Sequence, residues 1–96
     1  SISNSLKTVV EYASSTEERA DYFLESTDHR RYFFTLMDTL LREDGLLDKE
    51  LRSNPMKKQE LVPRLESIIE TPLIRECAKR DNYDLHAARE KIRKYQ

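Results

Sequence analysis

Few residues in this chain could perform chemistry, and their spacing suits neither a metal site nor a nucleophile. The sequence has one cysteine, Cys77, and two histidines, His29 and His86. A zinc site takes about four ligands in close array, whereas Cys77 and His86 stand on different predicted helices. Cys77 shares an apolar helix face with Leu73 and Ile74, which predicts a small buried hydrophobe. We therefore expect no metal ion and no cofactor.

The glycines and carboxylates also lack a catalytic arrangement. Gly45 is the only glycine, so the chain has no glycine-rich loop that could cradle a phosphate. The acidic residues are spaced as on ordinary helix surfaces, and no residues resemble a catalytic triad. The sequence therefore predicts a protein that is not an enzyme.

Basic residues concentrate in the second half of the chain, which makes nucleic-acid binding an alternative. Residues 1–50 contain 6 Lys/Arg and 11 Asp/Glu, a net −5, whereas residues 51–96 contain 11 and 7, a net +4. This polarity favours two halves that pack on each other, and it would also suit a homodimer. The alternative is RNA or DNA binding through the basic half. Its candidate contacts are Lys57, Lys58, Arg89, Lys91 and Lys94.

The stretch HRRYFFTLMDTLL, residues 29–41, sets arginines beside aromatic rings, as on a surface that stacks bases and binds phosphate. At about 100° per residue, however, its apolar side chains form one continuous arc of about 160°. Arg31 and Arg42 fall on the opposite side, so the cations and the rings face apart. We therefore interpret the stretch as the buried side of a helix. The arc comprises Phe33, Phe34, Leu36, Met37, Leu40 and Leu41.

This arc is wider than the stripe of about 100° that a helix needs against one neighbour. Either the helix is central and covered on two sides, or part of the arc forms a groove with the C-terminal hairpin that accepts a partner's helix or an extended peptide. Phe34 and Leu41 mark one edge of the arc, so we expect Phe34 to stay accessible. Cations at the rim would suit acidic or hydroxylated partner residues. The predicted partner-binding residues are Phe34, Met37, Leu41, Lys79, Arg80 and Arg93.

Helix-start and helix-stop residues divide the chain into short helices. The first two are predicted over about 5–14 and 15–24. The longest runs from Asp28 to Asp44, after a break and a new cap at residues 26–28, and Gly45 is expected to end it in a left-handed conformation. A short helix is predicted over 48–52, and another over 55–70, either as two pieces (55–62 and 63–70) or as one helix kinked at Pro63. Thr71-Pro72 begins a further helix that is expected to fray at residues 80–84, and Asp84 caps the last one.

These elements predict an all-α fold, a compact array of five to seven short helices in a helical bundle or in stacked helical hairpins. Residues 1–96 would form a single domain, and the start at Ser1 instead of Met suggests a module of a longer protein. No run approaches the roughly 18 to 20 apolar residues of a membrane span. A single cysteine suits a reducing compartment, so we expect an intracellular protein that does not contact membranes.

One segment resembles a known family. TPLIRECAKRDNYDLHAAREKIRKY, residues 71–95, is similar to the end of the helical domain at the N-terminus of the elongation factor TFIIS and, in variant form, in the integrase-binding domain of chromatin proteins such as LEDGF. In those domains a Thr begins a helix, apolar residues follow, and a basic turn leads to a last helix with a small, an aliphatic and an aromatic residue. The matching positions are Thr71, Leu73, Cys77, Lys79, Arg80, Ala88, Ile92 and Tyr95.

The resemblance implies a docking module that binds short disordered motifs of transcription or chromatin factors, in the nucleus rather than the cytoplasm. Our preferred hypothesis is therefore a non-catalytic protein–protein interaction module that recognises a short linear motif or a partner helix. The alternatives are RNA or DNA binding through the basic half, and homo-oligomerisation.

Overall fold

The computed structural model describes Glu11 and residues 24–96, so the helices predicted over 5–14 and 15–24 lie almost entirely outside the described residues. The described part contains five α-helices. They are α1 (Thr27–Leu41), α2 (Leu46–Ser53), α3 (Lys58–Ile69), α4 (Pro72–Arg80) and α5 (Leu85–Arg93), with a 3-10 turn (Pro55–Lys57) before α3. The predicted all-α class is confirmed, and five is the lower end of the predicted range.

The longest helix, α1, is central to the described core. Ser26 caps its start, because the side-chain oxygen accepts a hydrogen bond from the backbone N–H of His29 at 3.3 Å. The helix packs against both α2 and α5, which explains why its apolar face is so wide. The side chains that α1 buries are Arg30, Phe33, Phe34, Met37, Leu40 and Leu41.

The end of α1 differs from the prediction. The helix stops at Leu41, and Gly45 is the N-cap of α2 with a φ of −83°, while the left-handed residue is Asp44 with a φ of 55°. The prediction of a left-handed glycine is therefore wrong. Gly45 is needed for space, since a Cβ there would lie 2.6 Å from the carbonyl oxygen of Thr39 and 2.7 Å from that of Arg42.

The proline positions fall where short helices begin, with one exception. Pro55 opens the 3-10 turn, and Pro72 follows Thr71, whose hydroxyl accepts the backbone N–H of Ile74 at 3.3 Å. Pro63 lies inside α3, which continues through it as one helix, so the two-piece alternative is wrong. Pro63 is exposed and the opposite side of α3 enters the core.

The core joins α1 to the C-terminal helices. Helix α5 begins at the cap Asp84, whose carboxylate accepts the backbone N–H of Ala87 at 2.9 Å, and it packs against both α1 and α3. Helix α4 packs on α3, and the turn that follows α4 lies beside α1. The buried apolar side chains from α2 onward are Leu47, Leu61, Val62, Leu65, Ile68, Ile69, Ile74, Cys77, Ala78, Ala88 and Ile92.

Candidate docking groove

A groove lies between α1 and the turn that joins α4 to α5. Its volume is about 320 Å³, near the lower end of the range of about 300 to 1,000 Å³ that is usual for ligand pockets. We call it the α1 groove. Its lining residues are Thr27, Arg31, Phe34, Thr35 and Asp38 on α1, and Asp81 and Tyr83 in the turn.

The α1 residues of the groove form a stripe along the helix. They follow one another at intervals of one to four residues, and at about 100° per residue all five fall within an arc of about 100°. At about 1.5 Å per residue, the stripe from Thr27 to Asp38 is about 16 Å long. Four of the five are exposed, and Phe34 is buried where the stripe meets the core. The groove is therefore elongated along α1.

Two stacked rings form the floor of the groove. The ring of Tyr83 lies 4.1 Å from that of Phe34, centroid to centroid, at an interplanar angle of 15°. Phe33 meets Phe34 edge-on at 5.3 Å. Only 5% of Phe34 is exposed, so the prediction that Phe34 remains accessible at the edge of the arc is wrong. The reason is that Tyr83 covers it.

The turn that carries Tyr83 is an ordered helix end. Asn82 has a φ of 52°, its N–H donates to the carbonyl of Lys79 at 3.4 Å, and the N–H of Tyr83 donates to the carbonyl of Ala78 at 2.8 Å. This is the Schellman pattern, with Asn82 as the left-handed residue and Tyr83 as the apolar residue that folds back. The prediction that the chain frays at residues 80–84 is therefore wrong.

A hydrogen bond fastens this turn to α1. The Tyr83 hydroxyl donates to Oδ1 of Asp38 at 2.7 Å. Burial, together with this bond to a carboxylate, raises the pKa of Tyr83 well above its ordinary value. The phenol therefore stays protonated and remains a donor at neutral pH.

An ion pair between the buried Arg30 and the partly exposed Asp81 also holds this turn against α1. The Nε of Arg30 donates to Oδ1 of Asp81 at 2.9 Å, and its other nitrogens donate to the carbonyl of Leu24 at 2.8 Å and the hydroxyl of Thr27 at 3.2 Å. Arg30 is only 8% exposed. Its pairing with Asp81 allows this charged side chain to be buried in the first turn of α1.

The remaining charges of the groove are Arg31 and Asp38. Both are exposed on the same stripe of α1. Within the described residues neither forms an ion pair, whereas Asp81 is neutralised by Arg30. The groove therefore presents one guanidinium and one carboxylate to solvent.

The other predicted partner-binding residues do not meet in this groove. Met37 and Leu41 are each 1% exposed, because α2 and α5 cover this face of α1, so neither side chain is accessible at the surface. Arg80 donates to the carbonyl of Leu24 at 2.6 Å, and Arg93 pairs with Glu90 within α5 at 3.3 Å.

Lys79 lies outside the α1 groove as well. It lines a separate shallow depression on α4, together with Pro72, Arg75 and Glu76. The cation that the structure places in the groove is Arg31, which the helical arrangement had assigned to the polar side of α1. Of the six predicted residues, only Phe34 lines the groove.

The residues of the nucleic-acid alternative lie on α5 or at its C-cap, and where the 3-10 turn meets α3. The Nζ of Lys57 pairs with the buried carboxylate of Glu50 at 3.2 Å, so its charge serves the fold. Arg89 and Lys91 project about 160° apart around α5 at about 100° per residue, so they do not share one face. The Nζ of Lys94 lies 5.2 Å from the ring centroid of Tyr95. Lys58 is exposed at the start of α3.

The reactive side chains of the described region are placed as in a packed core. Cys77 is 1% exposed, as predicted for a buried hydrophobe, and burial raises the pKa of its thiol. Within residues 24–96 and Glu11, no group of three or more His, Cys, Asp or Glu could hold a metal ion. In the same part of the chain, no helix has both the length and the apolar character that crossing a membrane requires.

Comparison of the chain with family models, with curated proteins and with solved structures finds no match.

Proposed function

We propose that this chain is a protein–protein docking module that binds a short extended segment of a partner protein in the α1 groove. The observation that carries the proposal is the groove itself. It combines a floor of two stacked rings, Phe34 and Tyr83, with a few hydroxyl and charged groups at its rim. Ligand sites in proteins commonly pair an apolar floor with a small number of polar groups that set orientation.

The dimensions favour an extended segment over a helix as the occupant. A partner helix that is about 10 Å across and as long as the stripe would occupy about 1,200 Å³, several times the groove volume of about 320 Å³. An extended chain rises about 3.3 Å per residue, so about five residues match the stripe of about 16 Å along α1.

The lining groups support binding rather than catalysis. The Tyr83 phenol is held as a donor to Asp38, and the Asp81 carboxylate is neutralised by Arg30. The seven lining residues include no thiol and no imidazole. The groove therefore offers hydrogen bonds, charge and ring surface, which are the means of peptide recognition.

The resemblance of residues 71–95 to the TFIIS and LEDGF type of domain extends this proposal to the partner. It suggests disordered segments of transcription or chromatin factors, and it favours the nucleus over the cytoplasm. In this proposal, α4 and α5 hold the Tyr83 turn in place, while α1 supplies most of the contacts.

A selection experiment tests the proposal. The 96-residue chain is used to select binders from a random heptapeptide library displayed on phage, and a synthetic copy of the most enriched peptide is titrated into ¹⁵N-labelled protein. We expect the largest chemical-shift changes at Thr27, Arg31, Thr35, Asp38 and Tyr83. Enriched peptides that shift residues elsewhere, or a selection that enriches none, would overturn the proposal.

Two variants with the same substitution sharpen the test. Thr35→Trp places a large side chain in the groove, whereas Ser67→Trp places it on the exposed side of α3. We expect Thr35→Trp to weaken the peptide by at least about tenfold, or roughly 1.4 kcal/mol, and Ser67→Trp to leave affinity unchanged. Equal affinity in both variants would mean that the peptide binds another surface.

A further inference from the structure

We propose that the α1 groove selects its partner by a pair of opposite charges: an acidic residue that meets Arg31 and a basic residue that meets Asp38, three positions apart in an extended segment. This inference rests on the proposed function, because it names the partner chemistry of the same groove.

The first step concerns the separation of the two charges. Arg31 and Asp38 are seven residues apart, so their positions lie about 10.5 Å apart along the axis of α1 and only about 20° apart around it. Both side chains are exposed. Because they belong to one helix, the backbone fixes the separation of their Cα atoms. A partner segment that lies along the groove therefore meets a positive group toward one end and a negative group toward the other.

The second step is that, among the described residues that line the groove, no other charge competes with this pair. The Asp81 carboxylate accepts a hydrogen bond from the Nε of the buried Arg30 at 2.9 Å, and this ion pair neutralises the carboxylate charge. Asp38 accepts the Tyr83 hydroxyl through Oδ1 only, so its second oxygen can accept a cation. The complementary charges are therefore one anion toward the N-terminal end of α1 and one cation toward its C-terminal end.

The third step matches the spacing to a backbone conformation. In a polyproline II segment, which rises about 3.1 Å per residue with three residues per turn, residues i and i+3 lie on one side about 9.3 Å apart. Same-face neighbours of a β-strand lie about 6.6 or about 13 Å apart, which fits less well. Small apolar residues or prolines between the two charges would lie against the ring of Tyr83, which is stacked on Phe34, as in other aromatic grooves that bind such segments.

The test compares peptide pools selected from the same heptapeptide library on three proteins. These are the wild-type chain, Arg31→Glu, and the matched control Arg64→Glu, which changes an exposed arginine on α3. We expect the wild-type and control pools to be enriched in acidic and basic residues three positions apart. On Arg31→Glu, the acidic position should become basic. A synthetic wild-type peptide should bind Arg31→Glu about fivefold more weakly, since exposed ion pairs are weak.

A second variant tests the other charge. Asp38→Asn keeps an acceptor for the Tyr83 hydroxyl but removes the carboxylate charge, so its pool should lose only the basic residue. Binding in the α1 groove is shown when the selected peptides fail to bind Thr35→Trp. If such peptides lack the charge pair, or if the pool selected on Arg31→Glu is the same as the wild-type pool, this inference is overturned and the docking function still stands. Pools that also bind Thr35→Trp would overturn both.

Discussion

The bond between Tyr83 and Asp38 should contribute measurably to stability, because it fastens the Schellman turn of α4 to α1. Tyr83→Phe removes the hydroxyl and keeps the ring over Phe34. A hydrogen bond to a charged acceptor contributes about 1.5 to 3 kcal/mol when buried. Asp38 is exposed, so we expect a smaller loss of about 0.5 to 1.5 kcal/mol in the free energy of unfolding. Tyr83→Ala also removes the stacked ring, and should cost about 2 to 3 kcal/mol.

The assay is urea unfolding followed by circular dichroism at pH 7 for wild type, Tyr83→Phe, Asp38→Ala and the double variant. Asp38→Ala also changes the helix propensity of α1, but this effect cancels in the double-mutant cycle. We expect a coupling energy of about 0.5 to 1.5 kcal/mol between the two side chains. A coupling energy below about 0.3 kcal/mol, the usual error of additivity, would show that this hydrogen bond does not stabilise the turn against α1.

Three further predictions follow from described contacts. Folding raises the pKa of Tyr83, so the contribution of this residue to the free energy of unfolding is fully present below the unfolded pKa of about 10 and is lost as pH rises above that value. The urea midpoint should therefore fall more between pH 8 and 11 for wild type than for Tyr83→Phe. Gly45→Ala should lower the free energy of unfolding in urea by about 1 to 3 kcal/mol, because the added Cβ meets two carbonyl oxygens. Gly45→Asn should lower it at least as much; a smaller loss with asparagine would indicate that residue 45 needs a left-handed conformation instead. Asp81→Ala should cost about 2 to 4 kcal/mol in the same assay by leaving Arg30 buried without its carboxylate, with Asp81→Asn between it and wild type; a loss equal to that of an exposed alanine substitution such as Ser67→Ala would contradict this.

Three helix starts could be predicted from the sequence because their causes are local. Ser26, Thr71 and Asp84 each accept a backbone N–H three residues ahead, and such a contact depends on only one turn of chain. The wide apolar face of α1 was also predictable, since spacing along one helix determines it. Gly45 was misjudged because the atoms that crowd it belong to the preceding helix end, whose path the sequence pattern does not specify.

The groove could be predicted only in part, since it joins distant segments. Helical spacing places Phe34 at the edge of the apolar arc, but Tyr83, which covers it, lies 49 residues later in the chain. One local signal was available and was missed: an asparagine followed by an aromatic residue after α4 fits a Schellman end, which returns the aromatic ring toward the protein. The pairing of Arg30 with Asp81 had no local signal, because it depends on how α4 meets α1.

The carbonyl oxygen of Leu24 accepts hydrogen bonds from two guanidinium groups, those of Arg30 and Arg80, at 2.8 and 2.6 Å. One peptide group therefore connects the chain before α1 to α1 itself and to the end of α4. Deletion of residues up to 25 would leave the cap at Ser26 intact but would remove an acceptor from the buried Arg30, which also holds Asp81 at the groove. Any shortened fragment that is meant to keep the groove in its folded shape must consequently retain Leu24.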